Sequence, residues 1–365
     1  MISARTIGPV RIVGTGLLGA SIGLALRAEG VDVILADISP GSVTLAIDYG
    51  AGRAAAPDDD PKLIVVAVPP DAVAQTAAAE LAAYPKALVT DVASVKLAPL
   101  NDLRASGADV ARYIGSHPMA GRERGGAISA RADLFIGRPW IIAAHDGIAD
   151  GRAAKGALEA LALDLGAVPV EMDAAEHDRS VALVSHVPQV IASLLATRLT
   201  EATDVAVGLA GQGLRDTTRI ASSNPEMWVQ ILTANSDPVV EVLRKYRDDL
   251  DVLIGSLSDH AAPGSRRAIA ESLAGGNAGV ARIPGKHGQA RHFAQIIIIV
   301  ADKPGELARL LTEIGDTGVN MEDLRLEHSP GAQVGFAEIS VLPEVEQRLL
   351  DELTSRGWEI AGAFS

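Results

Sequence analysis

The stretch Val10-Arg11-Ile12-Val13-Gly14-Thr15-Gly16-Leu17-Leu18-Gly19 decides the fold of the first part of this chain. Val10–Val13 is a short apolar run with a β-branched bias, and the Ala-rich stretch Ala20–Ala28 behind the glycines reads as a helix. A G-x-G-x-x-G spacing is weak evidence alone. Between a strand and a helix it is the fingerprint of a dinucleotide-binding turn. Gly14 allows the tight turn, Gly16 lets the backbone approach a pyrophosphate, and Gly19 lets the helix pack closely on the strand. Thr15, Leu17 and Leu18 complete the loop, and the free N–H groups at the helix start would face the phosphates. Asp37 ends the next strand candidate, Val31–Ala36, where its carboxylate is placed to accept from ribose hydroxyls. No Arg follows at once to hold a 2′-phosphate, which favours NAD over NADP. Val68 and Pro69 close a later strand and either border the nicotinamide or simply end that strand.

Outward from this turn, strands and helices alternate. Leu63–Val68 is continuously apolar, as in a parallel strand buried on both faces. Ala87–Val92, Tyr113–Ser116 and Trp140–Ala144 are further strand candidates, and Ala72–Ala83 reads as a crossover helix. The pattern predicts an α/β Rossmann-type, doubly wound parallel sheet over residues 1–170. After about residue 170 the texture turns helical, through Ala174–Glu201, Pro225–Asn235 and Pro238–Leu257, with Pro188 marking a kink or an early turn. This predicts an all-α domain over 171–285. Ser258–His292 is rich in Gly, Ala and Arg and ends as a linker around Gly285–Arg291. From Phe293 on, the strand and helix candidates follow the order β-α-β-β-α-β, a ferredoxin-like module over 292–365.

Composition bounds the function. A length of 365 residues suits two or three domains. With 32 Lys and Arg against 46 Asp and Glu, the net charge of -14 repels phosphate and argues against nucleic-acid or anionic-membrane partners. The absence of cysteine excludes disulfides, thiolate nucleophiles and thiolate-held metals. Met1–Pro9 lacks the apolar core of a secretory signal, and the longest wholly apolar run, within Ile296–Ala301, is far short of the ~20 residues that span a bilayer. A soluble cytoplasmic protein is expected. The histidines are scattered without an H-E-x-x-H pattern, so no metal site is expected.

Four polar segments stand beside small or kinking residues: Asp91–Lys96, Gly115–Gly121, Ser185–Gln189 and Gly211–Arg219. The first two follow strand candidates, and ligands of such sheets bind beyond the carboxyl ends of the strands. His117, just before Pro118, is either a general base or a hydrogen-bonded structural histidine. Ser94 either bonds a substrate hydroxyl or His117, or caps a helix beginning at Val95. Lys96 orients the loop or lies on the surface, the commoner fate of a lysine. His186 lies in an apolar helix, where a satisfied core histidine is the commoner reading. Arg215 and Arg219, four apart, would share a helix face, as a carboxylate site or as a solvated pair bridging to Asp216. Trp228 reads as core, with a site wall as the alternative.

At these segments the sequence resembles the prephenate dehydrogenase family, from about Val10 to Leu257. The most specific parts are Ser116-His117-Pro118-Met119-Ala120-Gly121, Ser185-His186-Val187-Pro188 and Arg215-Asp216-Thr217-Thr218-Arg219-Ile220-Ala221. Asp302-Lys303-Pro304-Gly305-Glu306-Leu307 and Gly318-Val319-Asn320 look like an ACT domain, a module that often binds amino acids as regulators. The resemblance implies NAD-dependent oxidative decarboxylation of prephenate to 4-hydroxyphenylpyruvate. His117 would take the proton of the ring hydroxyl, Ser94 would hold that hydroxyl and His117 in line, and Arg219 would clamp a carboxylate. His186 and Arg215 would line the pocket. The resemblance also implies a homodimer and an aromatic amino-acid effector at the C-terminal module. Two departures touch substrate choice. After Gly121, Arg122 stands where many relatives carry a small hydroxyl residue, followed by Glu123, and Gln189 stands where many have a second histidine. Glu123 could meet the ammonium of arogenate, so arogenate dehydrogenase is the alternative. A non-enzymatic NAD and amino-acid sensor is the alternative of another class, and a base at His117 and the paired arginines argue against it.

Overall fold

A computed structural model describes residues 4–121, 126–283, 293–328 and 334–364. The chain divides into two compact units, Met1–Glu201 with Thr218–Tyr246 and Ala202–Thr217 with Arg247–Ser365.

The first unit opens with β1 (Val10–Val13), α1 (Leu17–Ala28), β2 (Val33–Ala36), α2 (Pro40–Asp48), β3 (Arg53–Ala54), β4 (Leu63–Val66), α3 (Val73–Ala83), β5 (Leu88–Asp91) and α4 (Leu97–Ala105). Its five strands form a sheet in the order β3-β2-β1-β4-β5, every pair parallel. The strand order reverses at β1, which opens a crevice beyond the carboxyl ends of β1 and β4. Residues alternate between two cores. Val10, Ile12, Leu35 and Val65 meet Ala20, Ile22 and Leu26 of α1 on one face. Ile64, Val66 and Val89 meet Val73, Ala77 and Leu81 of α3 on the other. β4 is buried along its whole length, which explains its unbroken apolar sequence.

The sheet does not continue as the sequence suggested. β6 (Gly115–Pro118), β7 (Pro139–Ala144) and β8 (Val168–Asp173) form a separate sheet, with β6 antiparallel to β7 and β7 parallel to β8. A parallel neighbour needs a crossover of a dozen or more residues, usually a helix. Between β7 and β8 that helix exists, α5 (Gly151–Asp164). Between β6 and β7 the described residues hold only the short turn Ala127–Ser129, so the chain doubles back. One parallel bridge, Val89 to Tyr113, ties this sheet to β5. Pro169 and a half-exposed surface hid β8 in the sequence.

α6 (Ala174–Val181) runs through a π turn, Ala182–His186, into α7 (Val187–Arg198). Pro188 lies in the first turn of α7, directly after the π turn. Then come α8 (Asp204–Gly208) and α9 (Gln212–Thr218), which fall in the second unit but for Thr218, α10 (Pro225–Ala234) in the first, and α11 (Ser236–Ser258), divided between the two at Tyr246. Ala182, Val187 and Val239 form a small core with Ile191, Leu232, Val242 and Leu243. The run Ala174–Glu201 is long and apolar enough by composition to cross a bilayer. It also carries His177 and Asp178, both buried and hydrogen-bonded inside this fold, so length alone does not make it a span.

In the second unit, α12 (Ser265–Val280) precedes β9 (Ala294–Ala301), α13 (Glu306–Asp316), β10 (Asp323–His328), β11 (Val334–Val341), α14 (Pro343–Ser355) and β12 (Glu359–Phe364). The strands form an antiparallel sheet in the order β10-β11-β9-β12. Alternate residues of β9, namely Ala294, Ile296, Ile298 and Val300, face a core completed by Leu310, Ile314, Leu349 and Leu353 of the two helices. The linker around Gly285–Arg291 lies outside the described residues.

Candidate active site

The glycine turn is shaped from both sides. Gly14 has φ +100°, and a Cβ there would meet the Ala67 carbonyl oxygen at 2.3 Å. A Cβ at Gly19 would lie 1.9 Å from the Gly14 oxygen. These two glycines are required by the protein itself. Gly16 differs, because a Cβ there would meet nothing within 4 Å. It stands at the N-cap of α1, where no side chain satisfies the helix's free N–H groups. The opening and its donors fit a pyrophosphate, with the helix dipole favouring its charge. Leu17 and Leu18 form the first helical residues behind it. Asp37 is held in place: Oδ2 accepts from Thr15 N at 2.7 Å and Thr15 Oγ1 at 3.0 Å, and Oδ1 accepts from Ser39 N at 2.9 Å. Val68 lines the same turn, its Cγ1 3.2 Å from where a Gly14 Cβ would stand, and Pro69 leads into the short turn Pro70–Ala72.

A second polar assembly lies where β5 and β6 end. Ser116 Oγ donates to the Asp91 carbonyl at 2.8 Å and accepts from Thr90 Oγ1 at 3.1 Å, stitching the two strands together. The Asp91 carboxylate accepts from Ala93 N at 2.9 Å, from Tyr113 Oη at 2.6 Å, and from Lys96 Nζ. Lys96 is buried rather than at the surface, its charge offset by Asp91. Burial still lowers its pKa, and burial beside Asp91 pushes the Tyr113 hydroxyl well up.

His117, on β6, is buried, and its Nδ1 lies 2.8 Å from His177 Nε2. His177 Nδ1 lies 2.7 Å from Asp178 Oδ1. Asp178 also accepts from Lys96 N and Leu97 N, each at 2.9 Å, so a carboxylate from α6 caps α4. Burial first, then His177, Lys96 and His186, hold the His117 pKa well below the ordinary histidine value. Near neutral pH it is therefore an uncharged imidazole, the form that accepts a proton. Its Nδ1 is engaged, which leaves Nε2 for a ligand.

The π turn brings His186 to Asn235, whose Nδ2 lies 3.0 Å from His186 Nδ1 and donates to the Asp178 carbonyl at 2.8 Å. Burial pushes the His186 pKa down to about 4. Its ring meets Trp228 edge-on at 6.0 Å, and the buried Trp228 Nε1 has no hydrogen-bond partner among the described residues. Trp228 is half-buried. Gln189 is buried, its Nε2 donating to Ser223 Oγ at 2.7 Å and Ser193 Oγ at 3.3 Å.

Other sequence readings change. Ser94 does not cap a helix, because α4 begins at Leu97 with Lys96 at its N-cap. Among the described residues Ser94 is half-buried and makes no hydrogen bond to His117. Arg215 and Arg219 do not share a continuous helix face. α9 ends at Thr218 and a tighter turn, Arg219–Ser222, follows. Both arginines are exposed, and they fall in different compact units. Asp216 pairs with Gln212 instead, at 2.8 Å. Glu123 and Arg122 lie outside the described residues. Among the described residues no group of three or more His, Asp or Glu is arranged to hold a metal ion. The sequence reading missed His177, Asp178, Tyr113 and Asn235 and gave Asp91 no role. The available signal was the polar pair His177-Asp178 at the head of an otherwise apolar helical run.

A phosphate cradle at a strand-order switch and a buried, uncharged histidine in the same unit describe a dinucleotide-dependent dehydrogenase. Comparison with known proteins narrows the class. Residues 22–168 match the prephenate dehydrogenase nucleotide-binding domain, and residues 173–271 match the prephenate dehydrogenase dimerization domain. The chain is 39% identical over 357 residues to the probable prephenate dehydrogenase NovF of Streptomyces niveus, covering 95% of this chain and 98% of that protein. Among solved structures it is similar to prephenate dehydrogenase from A. aeolicus in complex with hydroxyphenyl propionate and NAD+, at TM-score 0.66 and 26% identity over 75% of this chain and 97% of that one. It is also similar to Synechocystis arogenate dehydrogenase, at TM-score 0.62 and 28% identity over 74% of this chain and 99% of that one. The chain belongs to the prephenate dehydrogenase family and is an NAD-dependent oxidoreductase of that family.

Proposed function

We propose that this enzyme oxidises prephenate to 4-hydroxyphenylpyruvate with loss of carbon dioxide. The observation that carries the reading is His117, buried and uncharged, with Nδ1 engaged and Nε2 left for a substrate hydroxyl. Gly14, Gly16 and Gly19 with the start of α1 would hold the cofactor's pyrophosphate, and Asp37 its ribose. When bound, NAD supplies the two-electron acceptor for the hydride that leaves the ring carbon bearing the hydroxyl. His117 Nε2 accepts the hydroxyl proton as that carbon becomes a ketone. The bond to the ring carboxylate then breaks, its electron pair enters the ring, and the ring becomes aromatic. The oxygen now needs a proton, and His117 returns the one it took. A base whose conjugate acid is disfavoured by burial suits this loan. Arg219 would hold a substrate carboxylate by its paired donors, with His186 and Gln189 lining the pocket and Ser94 near the hydroxyl. Of these, Arg219 would act through charge, so its loss should raise KM more than it lowers kcat.

Arogenate is the second reading, because a similar structure is that of an arogenate dehydrogenase. The test measures NADH formation with prephenate and with arogenate, each with NAD and NADP. Turnover of prephenate with NAD is expected, and turnover of arogenate alone would replace this reading. The C-terminal module, with its β-α-β-β-α-β order, would act as an ACT domain binding an aromatic amino acid such as tyrosine as a feedback regulator. Calorimetry with tyrosine and phenylalanine should detect that binding, and no heat from either would refute it. The enzyme would work as a homodimer, for which light scattering should give twice the chain mass.

A further inference from the structure

We propose that His177 and Asp178 are positioning residues that fix the proton of His117 on Nδ1 and so present a bare Nε2 to the substrate. The inference rests on the reading of His117 as the base. The assignment follows from counting donors and acceptors. Asp178 Oδ1 lies 2.7 Å from His177 Nδ1, and a carboxylate can only accept, so His177 Nδ1 carries a proton. A neutral imidazole has one N–H, so His177 Nε2 is a lone pair. That lone pair sits 2.8 Å from His117 Nδ1, which must therefore be the donor. His117 Nε2 is then the unprotonated nitrogen. With His177 neutral, reversing either link would set two donors or two lone pairs face to face.

Asp178 is itself held rigidly. Its oxygens accept from the backbone of Lys96 and Leu97 at the head of α4, and its own carbonyl accepts from Asn235 Nδ2. The carboxylate cannot swing away from His177 without uncapping that helix. The rings of His117 and His177 meet edge-on, with centroids 5.1 Å apart and planes at 73°, so rotation of His117 about its own bond would break the contact.

The chain of bonds also serves the charged state. When His117 takes a proton it becomes a cation in a buried site. The groups facing it are His177 from α6, Lys96 from the turn before α4, and His186 from the π turn. Asp91 lies bonded to Lys96. Of these, His177 alone bonds to His117, and through it Asp178 is the carboxylate placed to share the new charge. Such an orienting acid need not accept the proton itself.

The test uses the full-length enzyme. Nitrogen-15 NMR of histidine-labelled protein, with the His117 signal identified by its loss in His117→Asn, reads which nitrogen is protonated. The expected result is a proton on Nδ1, and a proton on Nε2 would overturn the proposal. Kinetics give the second reading. His177→Leu removes the acceptor and should lower kcat roughly 10- to 100-fold while leaving substrate KM within about twofold. It should also move the acidic limb of the kcat profile. His177→Gln can place an oxygen where Nε2 stood and should recover most of the rate. Wild-type kcat in His177→Leu, or an equal loss in both variants at unchanged melting temperature, would count against the relay. Should His177→Leu fail to fold, the wild-type NMR spectrum and His177→Gln still decide. Full activity in His117→Asn would instead remove the base reading, whereas an inactive His117→Asn beside a fully active His177→Leu would remove the relay alone.

Discussion

The glycine turn and the histidine assembly sit in one unit and are built on opposite plans. The turn draws its parts from Gly14 to Ser39, and its central feature is space. No Cβ fills the gap at Gly16, and no side chain caps α1. The histidine assembly gathers Asp91, Lys96, Tyr113, His117, His177, Asp178, His186 and Asn235 from segments up to 144 residues apart, and nearly every polar atom is partnered. Binding a pyrophosphate requires unsatisfied donors held ready. Moving a proton requires one unsatisfied atom in a field otherwise settled. On the proposed roles, the two regions differ because their tasks do, although both lie in one unit that carries strands β1 and β6.

The sharpest way to break this contrast is at its one free atom. His117→Asn should lower kcat by about 10²–10⁴ while leaving the affinity for NAD unchanged. Steady-state kinetics with a separate NAD titration checks both halves. A kcat near wild type would mean that the assembly is structural. The next test is at the buried pair. Lys96→Met leaves the buried Asp91 carboxylate without its counter-charge, with only Ala93 N and Tyr113 Oη still donating to it, and should destabilise the fold by about 3–5 kcal/mol. The double variant Lys96→Met with Asp91→Leu removes both charges and should recover part of that loss in denaturant unfolding. If the double variant is worse than the single one, the pair is not the reason Lys96 is buried.

What was legible in the sequence follows the same division. The glycine turn and Asp37 were readable because each residue's role is local: a turn, a cap and a strand end, all within one β-α-β unit. The β6-β7-β8 sheet was not readable, because antiparallel pairing of β6 with β7 depends on the absence of a crossover helix, and apolar runs of four to six residues carry no direction. For Lys96 the sequence leaves a loop-orienting and a surface role open, the surface being the usual habit of lysine, and only the position of Asp91 at the end of β5 allows its burial. His117 stood out beside Pro118, but its partners did not. His177 is 60 residues away, and nothing in local spacing announces a contact across that separation. The arginines illustrate the reverse error. Four-residue spacing implied a shared face, yet the helix ends between them.

A smaller effect sharpens the other side of the contrast. Gly16→Ala adds a methyl group where the protein has nothing within 4 Å, so the melting temperature should not move. The methyl would occupy the space meant for phosphate, and KM for NAD should rise about tenfold, near 1.4 kcal/mol. Gly19→Ala should do the opposite first, because its Cβ would lie 1.9 Å from the Gly14 oxygen and the turn must shift. A loss of about 1–3 kcal/mol in stability is expected there. Equal behaviour of the two variants would show that the opening at Gly16 is not the cofactor's seat.

The smallest effect concerns the acid side of the stability curve. Burial holds His186 at about 4 and His117 well below the ordinary histidine value, while in the unfolded chain both titrate near 6.5. Between those values the unfolded state binds protons that the folded state refuses. The stability these histidines allow is therefore complete above about pH 6.5 and declines as the pH falls toward 4. Paired carboxylates such as Asp59 are also lowered, but their loss comes at more acid pH, so the upper part of the window belongs to the histidines. Between pH 7.5 and 5.5 the loss from His186 should be about 1 kcal/mol. Denaturant midpoints measured across that range should fall in the wild type and fall less steeply in His186→Asn. Identical slopes would mean that the pocket admits enough water to charge His186 freely, and the settled field on which the proton loan depends would not extend to the π turn.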